Sequence, residues 1–207
     1  DQGYTYASGG TQQSEEYTRQ LGSQINALTD LLIIAENDIT ALAATLSANE
    51  DIALYAGNSI SLLAAEETDH VESHTQDSGT FSDSSSDLVH DESRLVGSTI
   101  TAGGNLTLNA TQGDITLYAS TAQAGGTADI SAGGNINLIA GINTTQHREQ
   151  SSSSDAATWE SHDEGYITQT AVMSGISTGG DLNLNAVGNV NVVASTLHSD
   201  NTLRIGG

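Results

Sequence analysis

Two short runs carry the side chains best suited to chemistry: His90-Asp91-Glu92 and His162-Asp163-Glu164 repeat the same three residues in the same order. An imidazole beside two carboxylates has the composition of a metal-ligand or acid–base set. His70 and His74 add two more imidazoles nearby. The spacing argues against both uses. Neighbouring residues of an extended strand point to opposite faces, and neither a helical H-E-x-x-H pair nor an EF-hand loop occurs. The same stretches hold Phe81, Trp159 and Tyr166, three of only eight aromatic residues. Aromatics on an exposed element can anchor a contact. The expected partner-contact residues are therefore Phe81, His90, Trp159, His162 and Tyr166; the alternative is that these side chains fold back onto their own segment. No catalytic residue, metal site or cofactor is expected.

Composition narrows the function classes further. The chain has 207 residues, 26 acids against four arginines, no lysine and a formal charge of −22. A basic face for nucleic acid is excluded. Hydrophobic residues make up 36% and aromatics 4%, too little for a thick aromatic-filled interior. The absence of cysteine removes disulfides, thiolate nucleophiles and Cys-ligated metal centres. The longest apolar run, Leu31 to Ala35, is far short of a membrane-spanning helix, and no signal-peptide pattern opens the chain, as expected of an internal slice of a longer polypeptide.

Taken alone, the stretch from Ser14 to Ala65 has the look of an amphipathic helix, but self-comparison overrules that reading. Ile25 to Ala35 lies over Ile100 to Ala110, which lies over Ile176 to Ala186, at spacings of 75 and 76 residues. In the middle copy Leu106, Leu108 and Ala110 alternate with Thr107 and Asn109, and Ile115 and Leu117 with Thr116, a strand period of two. Ile136 and Leu138 continue the pattern 21 residues after Ile115. Short strands between Gly/Asn turns, returning every 21 to 22 residues, predict a parallel β-solenoid, with Val, Ile, Leu and Ala filling a narrow interior. Gly103, Gly104, Gly133, Gly134, Gly179 and Gly180 precede strands, where turns need positive φ or close backbone approach. Asn105, Asn135 and Asp181 follow them and are placed to hydrogen-bond turn backbone, or each other, up the stack. In the first copy Leu32 and Ile34 take outward positions held elsewhere by polar residues, which predicts a cover from an insert or a preceding domain.

The predicted organisation is a single β-solenoid fragment over residues 1–207, with repeats at 25–65, 100–140 and 176–207 and inserts at 1–24, 66–99 and 141–175. Each full insert holds a Ser run, Ser84 to Ser86 or Ser151 to Ser154, and reads as a two-stranded excursion with a mobile, Ser-rich tip. Residues 66–99 carry nine acids and one arginine, against only Asp114 and Asp129 in 100–140. Carbohydrate-active β-helix enzymes need carboxylates clustered on neighbouring coils. The outward positions Thr107, Asn109, Thr116 and Asn137 offer none, so the chain is read as not an enzyme and as having no small-molecule substrate.

The run from Ile100 to Ala110, its counterpart from Ile176, and the segment from Asp129 to Leu138 resemble the haemagglutinin repeats of filamentous-haemagglutinin-like exoproteins. The Ser-rich insert with Trp159 to Glu164 is similar to the repeats of contact-dependent growth inhibition effectors of the CdiA type. The resemblance implies an all-β, right-handed parallel β-helix with protruding Ser-rich β-hairpin inserts. It implies secretion through the outer-membrane transporter of a two-partner system and display on a Gram-negative cell surface. It further implies filament structure and toxin delivery at the target cell's outer membrane or a surface receptor. The alternative is a structural shaft or adhesive segment of a filamentous haemagglutinin-type adhesin. The first copy departs from the pattern, with Ala27-Leu28-Thr29-Asp30 in place of Ala-Gly-Gly-Asn.

Overall fold

The computed structural model describes residues 2–206; residues 1 and 207, the outer limits of the ranges expected above, lie outside it. The chain is all-β, with no helix among the described residues and hence none long and apolar enough to cross a membrane. It begins with a strand pair, β1 (Gln2–Ser8) and β2 (Thr11–Thr18). A first coil follows, with β3 (Gln24–Ala27), β4 (Leu31–Ala35) and β5 (Ile39–Leu42), then a second with β6 (Thr45–Ala48), β7 (Ile52–Ala56) and β8 (Ile60–Leu63). The chain then runs out through β9 (Ala65–Ser78) and back through β10 (Ser82–Val96). Two further coils comprise β11 (Thr99–Ala102), β12 (Leu106–Ala110) and β13 (Ile115–Tyr118), then β14 (Thr121–Ala124), β15 (Ala128–Ala132) and β16 (Ile136–Ile139). A third strand pair, β17 (Gly141–Asp155) and β18 (Trp159–Val172), precedes β19 (Gly175–Thr178), β20 (Leu182–Ala186), β21 (Val190–Val193), β22 (Thr196–Ser199) and β23 (Leu203–Gly206).

Two compact units result. The strand pairs form one, from residues 2–19, 66–94 and 142–170; the coils form the other, from residues 20–65, 95–141 and 171–206. In the coil unit successive strands join three different parallel sheets, ordered β22-β19-β14-β11-β6-β3, β23-β20-β15-β12-β7-β4 and β21-β16-β13-β8-β5. This is the strand order of a parallel β-helix. The expected return is the observed pairing: Ile115 lies against Ile136, and Leu108 lies between Leu54 and Ile130.

The interior is a set of columns, each filled by one residue per coil. Leu54, Leu108, Ile130 and Leu184 make one, and Ile60, Ile115 and Ile136 another, all buried. Alanines close the strand ends, with Ala56, Ala110, Ala132 and Ala186 stacked and buried where the coil turns. Outside, most rows are polar. One row is apolar, with Leu42 over Leu63 and then Tyr118, Ile139 and Val193 in the coils above. Leu32 and Ile34 are 59% and 71% exposed.

The turns decide between two expected reasons for glycine and sharpen a second expectation. Gly9 and Gly10, between β1 and β2, have positive φ, but the Gly-Gly turns of the coils do not; there the reason for glycine is approach, since a Cβ on Gly103 would lie 2.1 Å from the Asn49 carbonyl oxygen. Left-handed backbone falls instead on alanines, at Ala43, Ala119 and Ala194, with φ of 47, 46 and 46°. The polar turn residues reach the next coil's backbone. The Asp51 N–H donates to Asp30 (3.0 Å), Asn105 N–H to Asp51 (2.6 Å) and Thr127 N–H to Asn105 (2.9 Å). A second ladder runs through Asp38, Ser59, Asp114, Asn135 and Asn189.

Buried serines secure the coil where the chain returns from an excursion. The Ser98 hydroxyl donates towards the Ala41 (3.0 Å) and Leu63 (2.8 Å) carbonyls and accepts from the Ala44 N–H (3.1 Å). Ser174 repeats the arrangement with the Leu117 and Ile139 carbonyls and the Ser120 N–H. Ser98→Ala is expected to cost about 1–3 kcal/mol by leaving buried groups unpaired, read as a lowered urea midpoint. Leu108→Ala should cost about 2–5 kcal/mol, and Leu108→Asp more, because a carboxylate would have to enter the column; an unchanged melt of Leu108→Asp would contradict its inward position.

Candidate functional site

The residues singled out for contact all fall in the strand-pair unit, a six-stranded sheet ordered β1-β2-β9-β10-β17-β18. β1 pairs with β2, β2 with β9, and β10 with β17, each antiparallel. Apolar residues are too few here to make a core, so cross-strand side-chain pairs carry the register.

Alternation along β10 splits the first His-Asp-Glu run. His90 lies directly opposite His147 of β17, with ring centroids 6.1 Å apart in an edge-on arrangement. Asp91, on the other face, meets His70 of β9, and Asp87 meets His74 in the same way. The second run behaves differently, for His162 bonds its own neighbour on the same face, Glu164, at 3.0 Å. Tyr166 stacks on His147 with centroids 5.2 Å apart and planes at 27°. The structure thus brings His90 and Tyr166 to either side of a third ring, His147, which sequence reasoning did not single out. Its signal was present in the alternating segment from Ile142 to Glu149, but which ring it would meet depends on cross-strand register. Phe81 sits in the connection between β9 and β10 and Trp159 opens β18; they are 78% and 70% exposed. Among the described residues no three His, Asp or Glu side chains converge on a point suited to a metal ion.

The Ser runs lie within strands rather than at tips. Ser84, Ser85 and Ser86 of β10 face Ser153, Ser152 and Ser151 of β17, with the Ser85 and Ser152 hydroxyls 2.9 Å apart. Thr75, Ser86, Ser151, Glu160 and His162 line an open groove on this hydroxyl-rich stretch. The connecting residues are 79–81 and 156–158. In the second of these, the Asp155 carboxylate accepts from the Ala157 N–H (2.8 Å) and Thr158 N–H (2.7 Å), which holds its pKa below the ordinary carboxylate value.

Charge is organised at the other end of the sheet. Arg19 pairs with Asp69 at 3.0 Å, bonds the Thr68 carbonyl at 3.1 Å and lies over the Tyr17 ring. Arg94 pairs with the buried carboxylate of Glu67. Two of the four arginines therefore hold the base of β9 to its neighbours. Arg148 and Asp163 make a looser contact at 3.7 Å. The arrangement can order strands and offer a polar, acidic surface.

Three comparisons with known proteins bear on this geometry. A family profile described as Hemagglutinin repeat matches residues 3–86 and again residues 79–161. The two windows start 76 residues apart, close to the repeat period; the first runs from β1 through two coils into β10, and the second from β10 through two coils and β17 to the start of β18. A protein of Enterobacter cloacae subsp. cloacae named 16S rRNA endonuclease CdiA is 30% identical over 134 residues, covering 63% of this chain and 4% of that protein. The chain thus spans a small part of the length of the curated relative it matches. No solved structure shows a significant match.

A pH dependence follows from the His70–Asp91 pair. The hydrogen bond to Asp91 raises the His70 pKa above 6.5 against the opposing effect of burial, and Asp91, Glu72 and Glu16 add to the rise. Its contribution is fully present below about pH 6.5, the unfolded value, and is lost as pH rises through the folded one. Asp155 has the opposite sign, its contribution being lost as pH falls from the ordinary carboxylate range through its lowered value. Urea titrations at about pH 6 and about pH 8 should show His70→Gln with a smaller loss on the alkaline side than the parent; equal losses would show that the pair is not the source.

Proposed function

From the premise that this chain belongs to the Hemagglutinin repeat family, we propose that it is a non-enzymatic repeat segment of a secreted, cell-surface effector of contact-dependent growth inhibition. In this reading it forms part of a filament and acts in toxin delivery at the outer membrane of a target cell. The observation that carries the reading is the CdiA relative, aligned over 134 residues of repeat sequence. The activity in that relative's name is not carried over, because the chain corresponds to 4% of its length.

The partners in this reading are the outer-membrane transporter of a two-partner system during secretion and, at the far end of the route, the target-cell outer membrane or a receptor on it. The localisation is extracellular, on a Gram-negative surface, as one solenoid segment of a longer polypeptide. We take the coil to be right-handed, since crossovers between parallel strands of one sheet are right-handed in nearly all cases. The contact surface is assigned to Phe81, His90, Trp159, His162 and Tyr166. Exposure supports the choice of Phe81 and Trp159, and the row through His147 supports His90 and Tyr166.

A second reading is a structural shaft or adhesive segment of a filamentous haemagglutinin-type adhesin that binds host or neighbouring cells. It is favoured by the coil unit, whose outward rows are mostly hydroxyl and amide side chains.

Co-sedimentation with outer-membrane vesicles of a target strain separates the two. The intact chain is compared with a variant in which residues 79–81, Phe81 included, and residues 156–158 are replaced by short Gly-Ser turns and Trp159 by Ser. Delivery through the strand pairs predicts saturable binding that falls at least about tenfold in the variant, roughly 1.4 kcal/mol. Binding no greater than to lipid-free controls supports the shaft reading and overturns the contact assignment.

A further inference from the structure

Four of the six histidines rest against carboxylates: His70 on Asp91, His74 on Asp87, His162 on Glu164 and His198 on Asp200. In a chain with 26 acids this is the ordinary place for an imidazole. His90 and His147 depart from it. Each is partly buried, each meets aromatic rings, and among the described residues neither has a hydrogen-bond or ion-pair partner. They also lie directly opposite one another at the joint of β10 with β17, their ring centroids 6.1 Å apart and their planes at 60°.

The repeat does not demand this pair. One period earlier the two positions are held by Glu15 and Val71, which oppose each other at the joint of β2 with β9. The fold therefore accepts a carboxylate and an aliphatic side chain where this joint has two imidazoles. Tyr166 of β18 stacks on His147 with centroids 5.2 Å apart and braces that ring. Glu92 and Glu149 stand two residues along from His90 and His147, on the same face, and keep the local potential negative. Arg148, the nearest cation in sequence, falls on the other face and reaches Asp163.

We infer that His90 and His147 together bind one divalent transition-metal ion of the zinc, copper or nickel class, each through one ring nitrogen, with water in the remaining positions. With a metal–nitrogen bond of about 2.1 Å, each ring centroid stands about 3.2 Å from the ion, so two rings on one ion lie about 5.3 Å apart at a tetrahedral angle and at most about 6.4 Å apart. The observed 6.1 Å falls within that span. Imidazole selects these ions over magnesium and calcium, which take oxygen ligands. Within each His-Asp-Glu run, neighbours face apart and cannot share an ion; the cross-strand register instead joins two imidazoles from different strand pairs. The joint lies inside the strand-pair sheet, and the ion is held there whether the segment serves delivery or a shaft.

Zinc chloride is titrated into the full chain near neutral pH by calorimetry, with excess calcium present to occupy carboxylates, and copper(II) resonance spectra count the imidazole nitrogens on the first equivalent bound. A zinc site that depends on both histidines is expected, with two nitrogens on copper. His90→Phe and His147→Phe keep an aromatic ring while removing the ligand nitrogens, and each should weaken zinc binding at least about tenfold. His74→Gln and His162→Gln, which remove imidazoles already paired with carboxylates, should leave the affinity within about twofold of the parent. Urea midpoints without metal establish that each variant folds, and His90→Gln and His147→Gln replace any Phe variant whose midpoint falls. No zinc binding in excess calcium, parent affinity in the His90 and His147 variants, or an equal loss in His74→Gln or His162→Gln would each overturn the inference.

Discussion

In-register parallel stacking governs the coil unit. When a coil lies on the last at about 4.8 Å, every residue rests on its own counterpart, and its neighbours above and below have the same role. A column can then hold only side chains of matched size, as with Leu54, Leu108, Ile130 and Leu184. The same constraint lets a turn residue find the backbone of the next coil at a fixed reach, so one Asp or Asn per coil suffices to build a ladder. It also leaves no room for a Cβ where carbonyls approach the next turn, which is why glycine recurs at Gly103 and Gly125. Columns, ladders and glycines are thus three expressions of one translation.

The strand-pair unit obeys a different rule. Its antiparallel joints bring unlike residues together, so each pair must be favourable by itself. His–Asp pairs join β9 to β10, a serine-on-serine stretch joins β10 to β17, and arginines hold buried or half-buried carboxylates at the base of β9. Acidic residues are concentrated here because an open, single-layer sheet can keep carboxylates in water, whereas a column would have to bury them.

This contrast sets how much could be read from the sequence. The repeat of 75 and 76 residues, the return after 21 and the inward identity of Leu108 and Ile136 were all legible, because translation along the stack leaves a period in the chain. The backbone hydrogen bonds of Asn105, Asn135 and Asp181 were legible for the same reason. The pairing of His90 with His147 was not, since an antiparallel register depends on where each strand turns, and the turns at 79–81 and 156–158 have no distinctive residue signal. The Ser runs suggested tips by composition and proved to be strand. Of the two reasons expected for glycine in the coil turns, positive φ or close approach, close approach is the one used; left-handed backbone in the coils falls on Ala43, Ala119 and Ala194, at corners where a small side chain is buried or faces open space.

The corners also divide labour. A corner of one kind turns through a left-handed alanine and goes straight into the next coil; the other kind releases the chain at Ala65 or Gly141 and takes it back at Ser98 or Ser174. Because the hydroxyl of the returning serine bonds to coil backbone, the closure is indifferent to what was traversed in between. The first pair turns at Gly9-Gly10, about four rungs earlier than the second, and the coils beyond it keep their register. Each such corner is therefore a cassette site, at which length and surface chemistry can diverge under selection while the scaffold that carries them is inherited unchanged.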